Sequence, residues 1–565
     1  MEVVQAQVPP RKNYDNPSCT QTIFNHVFAS SYGLPYVGTY TPPKDCDFTT
    51  TIFNISITSS GRQYDRLALL FFGDIEIWRT STAMPGGYDI YWNYQKDLTI
   101  FDTLIREEQK VIFDLDNVYS DLYTGAFNVT LEAMYFNDRY EDLDPANLVY
   151  PISALASSRN ISSVMTLPDD DGTVSITFPK NIRSAVVSIL ASGNGNEEFW
   201  YTNVPSEFTN TFPDNPGWLY GYSPFREIQL LIDGNLAGVL WPFPILFTGG
   251  VDPGLWRPIA GIDAYDLPTF EIDVTPWLPL LCDGNTHTFS LRASGYDSST
   301  ASHLGTVGED WYVTGSVFVW LDKEGKQTTG SAVEIDAPEV LFSFSPDLTT
   351  TTTNGITTNE SFYFSLTAGR ELSISSTIRT STGLKLASWT QSLSFSNIQN
   401  MTSGAYNQSL AMTSTGSFVN SFSELTNTYH YPLNLFSAYI IAPTVATLSS
   451  VYTLIDRSQI KSGLNTLSYL TGTAIGVENL ETRQNASSMY YWNATIVEGT
   501  SADSGITQQW YTFAGKPGNL EHGVSDFSRT LKEVNDYMVV DHETWKTMAI
   551  PKTDPLPVVN GEPTV

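Results

Sequence analysis

The sequence is short of charge, cysteine and histidine, and each shortage excludes something. Only 16% of its 565 residues are Asp, Glu, Lys or Arg, against 13% that are aromatic, a balance that disfavours charged, solvated helices and suits half-buried strands. Three cysteines are too few for a disulfide scaffold over so long a chain. The six histidines, at 26, 287, 303, 430, 522 and 542, make no His-x-x-x-His or His-Glu-x-x-His spacing, so no metal and no cofactor is expected. Gly-x-Ser-x-Gly elbows and phosphate-cradling Gly loops are missing too, which removes serine hydrolases and nucleotide-dependent enzymes. No run of 18 apolar residues offers a membrane-spanning helix. The opening Met1-Glu2-Val3-Val4-Gln5-Ala6 lacks the basic and apolar regions of a signal peptide, so the chain reads as a trimmed mature form or as an intracellular protein.

Basic residues are scarce as well: 29 against 60 acidic ones give a net charge of −31. Polyanions are repelled by such a surface, and nucleic acid is excluded as a partner. The self-repulsion eases as carboxylates protonate, which suits an acidic compartment and equally a solubility adaptation.

What the chain does contain is alternation. Thr51–Ile57, Phe127–Tyr135, Ile228–Ile232, Phe289–Ala293 and Trp311–Leu321 place mostly apolar residues on every second position, the period of strands with one buried face. Gly, Asn, Asp and Pro clusters punctuate them, and the best helical stripe is Phe527–Tyr537. With 41% hydrophobic residues and about 150 residues per domain, several cores are affordable in apolar mass. An all-β chain of sandwiches or jelly rolls is expected.

An internal repeat supports this. Tyr64-Asp65-Arg66-Leu67-Ala68-Leu69-Leu70-Phe71-Phe72-Gly73-Asp74 aligns without a gap on Phe225-Arg226-Glu227-Ile228-Gln229-Leu230-Leu231-Ile232-Asp233-Gly234-Asn235, an offset of 161 (225 minus 64). Tyr88-Asp89-Ile90 likewise resembles Phe270-Glu271-Ile272. The division expected is a first jelly roll at 1–150, a second at 151–335 and a third β-rich region at 336–565. Asp347–Asn354, rich in threonine, reads as a linker or hairpin loop, and Pro555–Val565 as an untethered tail. Cys19 and Cys46 flank a turn-rich segment whose ends can meet in one bridge worth about 3 to 4 kcal/mol, leaving Cys282 as a buried thiol. Asn-x-Ser/Thr sequons at Asn54, Asn128, Asn160, Asn359, Asn400, Asn407, Asn485 and Asn493 permit secretion without requiring it.

Acid, arginine and aromatic residues are densest between Gly193 and Asp266: Glu197-Glu198-Phe199-Trp200-Tyr201, Phe225-Arg226-Glu227, Thr248 to Pro258 and Asp263-Ala264-Tyr265-Asp266. Carboxylates accept hydrogen bonds from sugar hydroxyls while aromatic rings cover apolar sugar faces. The alternative reading of Asp65-Arg66 and Arg226-Glu227 is strand-end ion pairing, worth about 0 to 1 kcal/mol when exposed.

Several of these words, in order, resemble the plant and fungal peptide-N-glycosidase A family. They are Phe199-Trp200-Tyr201, Arg226-Glu227, Asp233-Gly234, Ala237-Gly238, Pro242-Phe243-Pro244, Phe247-Thr248-Gly249-Gly250, Leu255-Trp256-Arg257-Pro258 and Ala264-Tyr265-Asp266-Leu267-Pro268. Tyr40-Thr41-Pro42-Pro43 ahead of Cys46, and Ile77-Trp78-Arg79-Thr80-Ser81-Thr82, belong to the same pattern. The likeness spans residues 15 to 330 and loosens beyond 340.

The resemblance implies a metal-free, acid-active amidase that cuts between asparagine and the first N-acetylglucosamine, leaves aspartate on the peptide and releases a glycosylamine that then loses ammonia. A more distant similarity to bacterial peptide-N-glycosidases implies two tandem jelly rolls with the site between them. Carried over residue by residue, it makes Asp65 the base, Arg66 and Arg257 the groups that orient an acid or stabilise the oxyanion, and Glu227 with Glu198 the holders of N-acetylglucosamine. Trp256 and Trp200 would cover the sugar, with Arg226, Asp263 and Asp116 as further substrate contacts. N-glycosylated peptides and glycoproteins are the implied partners, and a secreted or vacuolar, lysosome-like acidic compartment the implied location. A glycoside hydrolase acting on N-glycans and a non-catalytic glycan-binding protein are the competing readings.

Overall fold

The computed structural model describes residues 1–8, 16–87, 89–137, 145–213, 219–423, 425–441, 448–463, 477–493, 502–515 and 524–547. The fold is all-β, and among the described residues the two α-helices have four residues each. No helix among them is long and apolar enough to cross a membrane.

Eight strands build the first sandwich: β1 (Cys19–Phe28), β2 (Tyr36–Tyr40), β3 (Thr50–Ser60), β4 (Leu67–Phe72), β5 (Ile75–Ser81), β6 (Ile90–Asp97), β7 (Gln109–Leu115) and β8 (Ala126–Phe136). They form two antiparallel sheets ordered β1-β8-β3-β6 and β2-β7-β4-β5, the two interlocked Greek keys of a jelly roll. Alternation does what the sequence promises: on β8, Phe127, Val129, Leu131, Ala133 and Tyr135 are fully buried while Asn128 faces out.

A second set follows: β9 (Leu148–Ile152), β10 (Met165–Leu167), β11 (Thr173–Thr177), β12 (Ile182–Gly193), β13 (Glu227–Ile232), β14 (Asn235–Leu240), β15 (Thr269–Asp273), β16 (Thr286–Tyr296), β17 (Leu304–Gly305) and β18 (Trp311–Leu321). Its sheets run β10-β18-β12-β15 and β11-β16-β13-β14, with β9 added beside β18 and β17 beside β16. Strand for strand this is the order of the first sandwich. Even the insert repeats: a tight turn and one helical turn, Thr99–Phe101 with Asp102–Ile105, separate β6 from β7, as Thr275–Trp277 with Leu278–Leu281 separate β15 from β16. The division expected at residue 150 falls inside β9.

The register of the repeat corrects the sequence alignment. Each sandwich has a bulge in its fourth-to-fifth strand hairpin, between Leu70 and Phe71 in one and Leu230 and Leu231 in the other, an offset of 160 (230 minus 70). The gapless match was drawn one residue further by its glycines. Gly73, at φ 57°, is the first residue of the Gly73-Asp74 turn, whereas Gly234, at φ 77°, is the second of Asp233-Gly234, so aligning glycine on glycine displaces the strands. In the structural register Glu227 stands where Leu67 does, and Arg226 where Arg66 does.

The C-terminal region is one long antiparallel meander of Leu341–Thr353, Ile356–Thr380, Gly383–Thr402, Asn407–Asn420, Leu425–Ile441, Leu448–Ser462, Val477–Asn493, Ala502–Gly515, Val524–Val534 and Tyr537–Thr547. Thr329–Gly330 and Glu334–Asp336 add to its second long strand. Its inner face is studded with buried amides and an arginine that satisfy backbone groups of the second sandwich. Gln391 bonds Val239 N and O, Asn397 and Gln399 bond Tyr201 O, Arg457 bonds Pro244 O and Gln509 bonds Ala260 O. Buried loop backbone needs such partners, so the meander fixes the irregular segments 194–213 and 241–268.

Of the two readings of Asp347–Asn354 the linker fails and the hairpin holds, as strand more than loop: it forms the end of a strand that turns at Asn354-Gly355 and pairs, threonine opposite threonine, with Thr357 and Thr358, as β-branched residues favour. Phe527–Tyr537 is strand and turn, not helix. Phe527 and Leu531, four apart, fit both periods, but the buried set Phe527, Leu531 and Glu533 has the parity of a strand. Cys19 and Cys46 are bridged, and Cys282 is a buried thiol pushed up to about 11 by burial. Tyr88 and the Pro555–Val565 tail lie outside the described residues.

Candidate active site

Asp65 sits in the connection 61–66 between β3 and β4, at the seam where the two sandwiches meet. Its Oδ1 occupies the space that a side chain on Gly249 would need, with Met84 Sδ alongside. Burial pushes its carboxyl up to about 6, against the pull of the Arg66 charge. Within electrostatic reach, in the second sandwich, Glu198 is pushed up to about 8, first by burial and then by repulsion from Asp65 itself. Both acids come from the same connection of the repeat, third strand to fourth, which is short in the first sandwich and runs from 194 to 226 in the second.

Neighbouring residues explain why Glu198 is the one at the seam. The preceding Glu197 is consumed by structure: it accepts Arg226 Nε and Nη2 at 2.6 and 2.8 Å, Trp311 Nε1 at 2.6 Å and Gly308 N at 3.1 Å. That buried knot anchors the turn Gly195–Glu197 and leaves the next carboxylate to Asp65. On the opposite wall, Thr248 Oγ1 donates to Thr82 O at 2.7 Å and Trp256 Nε1 to Gly250 O at 2.7 Å. These bonds pin Gly249-Gly250 against the first sandwich. Gly250 is also close-packed, since a Cβ there would lie 3.0 Å from Phe199 Cε1.

The floor belongs to the first sandwich. Arg66 donates from Nη2 to Gln63 Oε1 at 2.8 Å and from Nε to Asn117 Oδ1 at 3.4 Å, and Gln63 bonds Val118 O at 2.8 Å. Asp116 accepts from Gly33 N at 2.7 Å; burial raises its carboxyl while Arg66 pulls it down. Asp114 behind it is pushed up to about 6 by burial and by Asp116. At the rim the exposed ring of Tyr64 lies 5.5 Å from that of Tyr123.

The seam itself is locked by a buried ion pair of β5. Arg79 Nε and Nη2 donate to Glu76 at 2.8 and 2.7 Å, and its Nη1 reaches Ser192 Oγ and Tyr312 O of the other sandwich at 3.0 and 2.7 Å. Thr314 Oγ1 completes Glu76 at 2.6 Å. Such a pair is costly to desolvate but strict about geometry.

Several residues implied by the resemblance stand elsewhere. Glu227 is 0% exposed and enclosed by Trp241 Nε1 at 3.0 Å, Gln229 Nε2 at 2.8 Å and Arg370 of the meander at 3.2 Å. With both oxygens taken, it offers nothing to a sugar. Arg226 is spent on Glu197. Trp256 and Trp200 are 1% and 3% exposed, so neither presents a ring face; Trp256 holds the glycine turn and Trp200 packs against Trp311 at 6.3 Å. Asp263 is held between Gln7 and Gln459. Arg257 lies at the seam, ion-paired with Asp503 and 3.9 Å from Asp536. The sequence does not point to these two meander acids, because nothing in an alternating strand or a hairpin turn more than 200 residues downstream marks them.

Chemically, the arrangement is a pair of interacting carboxyl groups, both raised by burial, with Glu198 raised further by the charge of Asp65. One can take a proton while the other gives one.

A family model described as "Peptide N-acetyl-beta-D-glucosaminyl asparaginase amidase A" matches residues 7–338, and one described as "PNGase_A C-terminal domain" matches 363–433. The chain is 34% identical over 333 residues to a Prunus dulcis protein named peptide-N4-(N-acetyl-beta-glucosaminyl)asparagine amidase A, covering 55% of this chain and 56% of that relative. The chain thus spans little more than half the length of its curated relative. Among solved structures, recombinant peptide:N-glycanase F aligns with TM-score 0.34 and 16% identity, covering 54% of this chain and 96% of the other. PNGF-II aligns with TM-score 0.36 and 14% identity, covering 54% and 65%. With more than half of its residues inside the first family match, this chain belongs to the peptide N-acetyl-beta-D-glucosaminyl asparaginase amidase A family.

Proposed function

We propose that the protein hydrolyses the β-aspartylglucosaminyl amide of N-glycosylated peptides and glycoproteins, releasing the glycan as a glycosylamine and converting Asn to Asp. The Asp65–Glu198 pair carries this reading. Ionised Asp65 takes a proton from water as the water oxygen bonds to the side-chain carbonyl carbon. As the carbon–nitrogen bond breaks, Glu198 delivers its proton to the departing nitrogen, and the peptide is left with a carboxylate. The glycosylamine then loses ammonia in solution. Gly250 N–H is spent on Phe247 O at 3.0 Å, so the Gly249 backbone N–H is the one that would meet the oxyanion beside Asp65. The name of the Prunus dulcis relative supports the same reaction, and the Cys19–Cys46 bridge supports an oxidising location.

The test is digestion of a glycopeptide in heavy-oxygen water followed by peptide mass. One heavy oxygen in a new Asp at the glycosylation site is expected. A sugar left on Asn would mean a glycoside hydrolase instead, and binding without any product a lectin-like protein.

A further inference from the structure

The meander reaches the seam through the strand Ala502–Gly515. Asp503, near its start, is ion-paired with Arg257 Nη2, and Asp536 lies 3.9 Å from Arg257 Nε. Asp536 is held out by the two-residue turn Asn535-Asp536, with φ 51° and 68°, a rigid hairpin geometry. On its other flank, Arg257 Nη1 lies where a side chain on Gly86 would have to go. Gly86 belongs to the loop 82–87 after β5, whose Met84 Sδ packs beside Gly249 and Asp65. Contact therefore runs without a gap from the meander through Arg257 to the wall of the Asp65 carboxylate. Tyr490, the register partner of Asp503, brings the same sheet near Tyr64, the residue next to Asp65.

We propose that the C-terminal meander is a working part of the reaction site, with Asp503 as the positioning residue that fixes Arg257 against loop 82–87 and so sets the placement of Asp65. The inference rests on the amidase reading above. Arg257 is 6% exposed, and a guanidinium enclosed this way keeps one orientation only while its carboxylate partners hold it. Loss of the Asp503 charge removes the partner of Nη2 and lets the guanidinium turn toward Asp536, and loop 82–87 shifts with it.

The experiment uses the full chain and a glycopeptide substrate, comparing wild type, Asp503→Asn, Arg257→Ala and the double variant. Misplacement by about 1 Å costs about a hundredfold, so Asp503→Asn is expected to lower kcat about a hundredfold with KM little changed. In the Arg257→Ala background the same substitution is expected to add nothing, a dependence that general loosening of the sheet would not produce. If Asp503→Asn does not fold, Asp503→Glu carries the cycle, because it keeps the charge and moves it by one methylene. Turnover by wild type with a folded Asp503 variant of normal kcat, or with losses that add, overturns the inference and leaves the amidase reading intact. Absence of any Asp product from wild type removes that reading first.

Discussion

Glu198 of the second sandwich lies within electrostatic reach of Asp65 of the first, and the charge of Asp65 adds to burial in raising the Glu198 carboxyl to about 8. Each acid comes from the same connection of a repeated jelly roll, so the site has the two-fold logic of the repeat while its two halves differ in chemistry.

If Asp65 is the base, Asp65→Asn keeps the shape and removes the basic lone pair. Turnover is expected to fall by about a hundred- to ten-thousand-fold, with the thermal midpoint unchanged or raised, because a buried charge is gone. Peptide mass after digestion and a melting curve check both. A folded variant with near-normal turnover would move the search to Asp116.

The rate should be bell-shaped in pH. It rises as Asp65 ionises through about 6 and falls as Glu198 loses its proton through about 8, apparent values that belong to the pair. Glu198→Gln is expected to abolish the alkaline limb at a lower rate throughout. An alkaline limb that persists in that variant would assign the acid to another group.

Gly249 has no room for a side chain beside Asp65 Oδ1. Gly249→Ala is therefore expected to displace the carboxylate and lower kcat by about a hundredfold in a protein that still folds. Normal kinetics for this variant would mean that Asp65 can move without consequence.

Glu227 is expected to matter for stability instead of chemistry. Glu227→Gln leaves Arg370 as a buried charge without its carboxylate, which costs about 3 kcal/mol. The folded fraction should retain wild-type kcat. Denaturant unfolding read beside single-turnover rates separates the two effects, and a large loss of kcat at full folding would restore Glu227 to the site.

Stability itself should depend on pH. Burial raises Asp114, Asp252 and Asp273 from 3.8 to about 6, and Glu533 from 4.5 to about 7. Between about pH 4 and 7 the native state then binds more protons than the unfolded chain, so these groups favour folding most below pH 4 and lose that effect as pH rises through 7. The excess of 60 acidic over 29 basic residues acts in the same direction. The melting temperature is expected to fall from pH 5 to pH 8, and a rise over that interval would contradict the burial of these acids.

What the sequence determined by itself was local and periodic. Alternation along Phe127–Tyr135 or Phe289–Ala293 puts one face inward, whereas Trp311–Leu321 is buried on both faces because the strand is central, and a two-residue turn favours Gly, Asn or Asp. The all-β class, the tandem repeat and the Cys19–Cys46 bridge follow from such features. The word Tyr64-Asp65-Arg66 also singled out Asp65, which the structure places at the seam beside Gly249.

The tertiary structure alone decided which acid answers it. Glu197, Glu198 and Glu227 are equivalent as letters, and each is committed by partners distant in the chain: Arg226 and Trp311 for the first, Asp65 for the second, Trp241 and Arg370 for the third. The same holds for Trp200 and Trp256, whose rings suit a sugar but are used up in packing, and for Asp503, which meets Arg257 only because a meander strand ends at the seam. A carboxylate's role is set by what neutralises or desolvates it. Those neighbours are chosen by packing in space, which no spacing along the chain records.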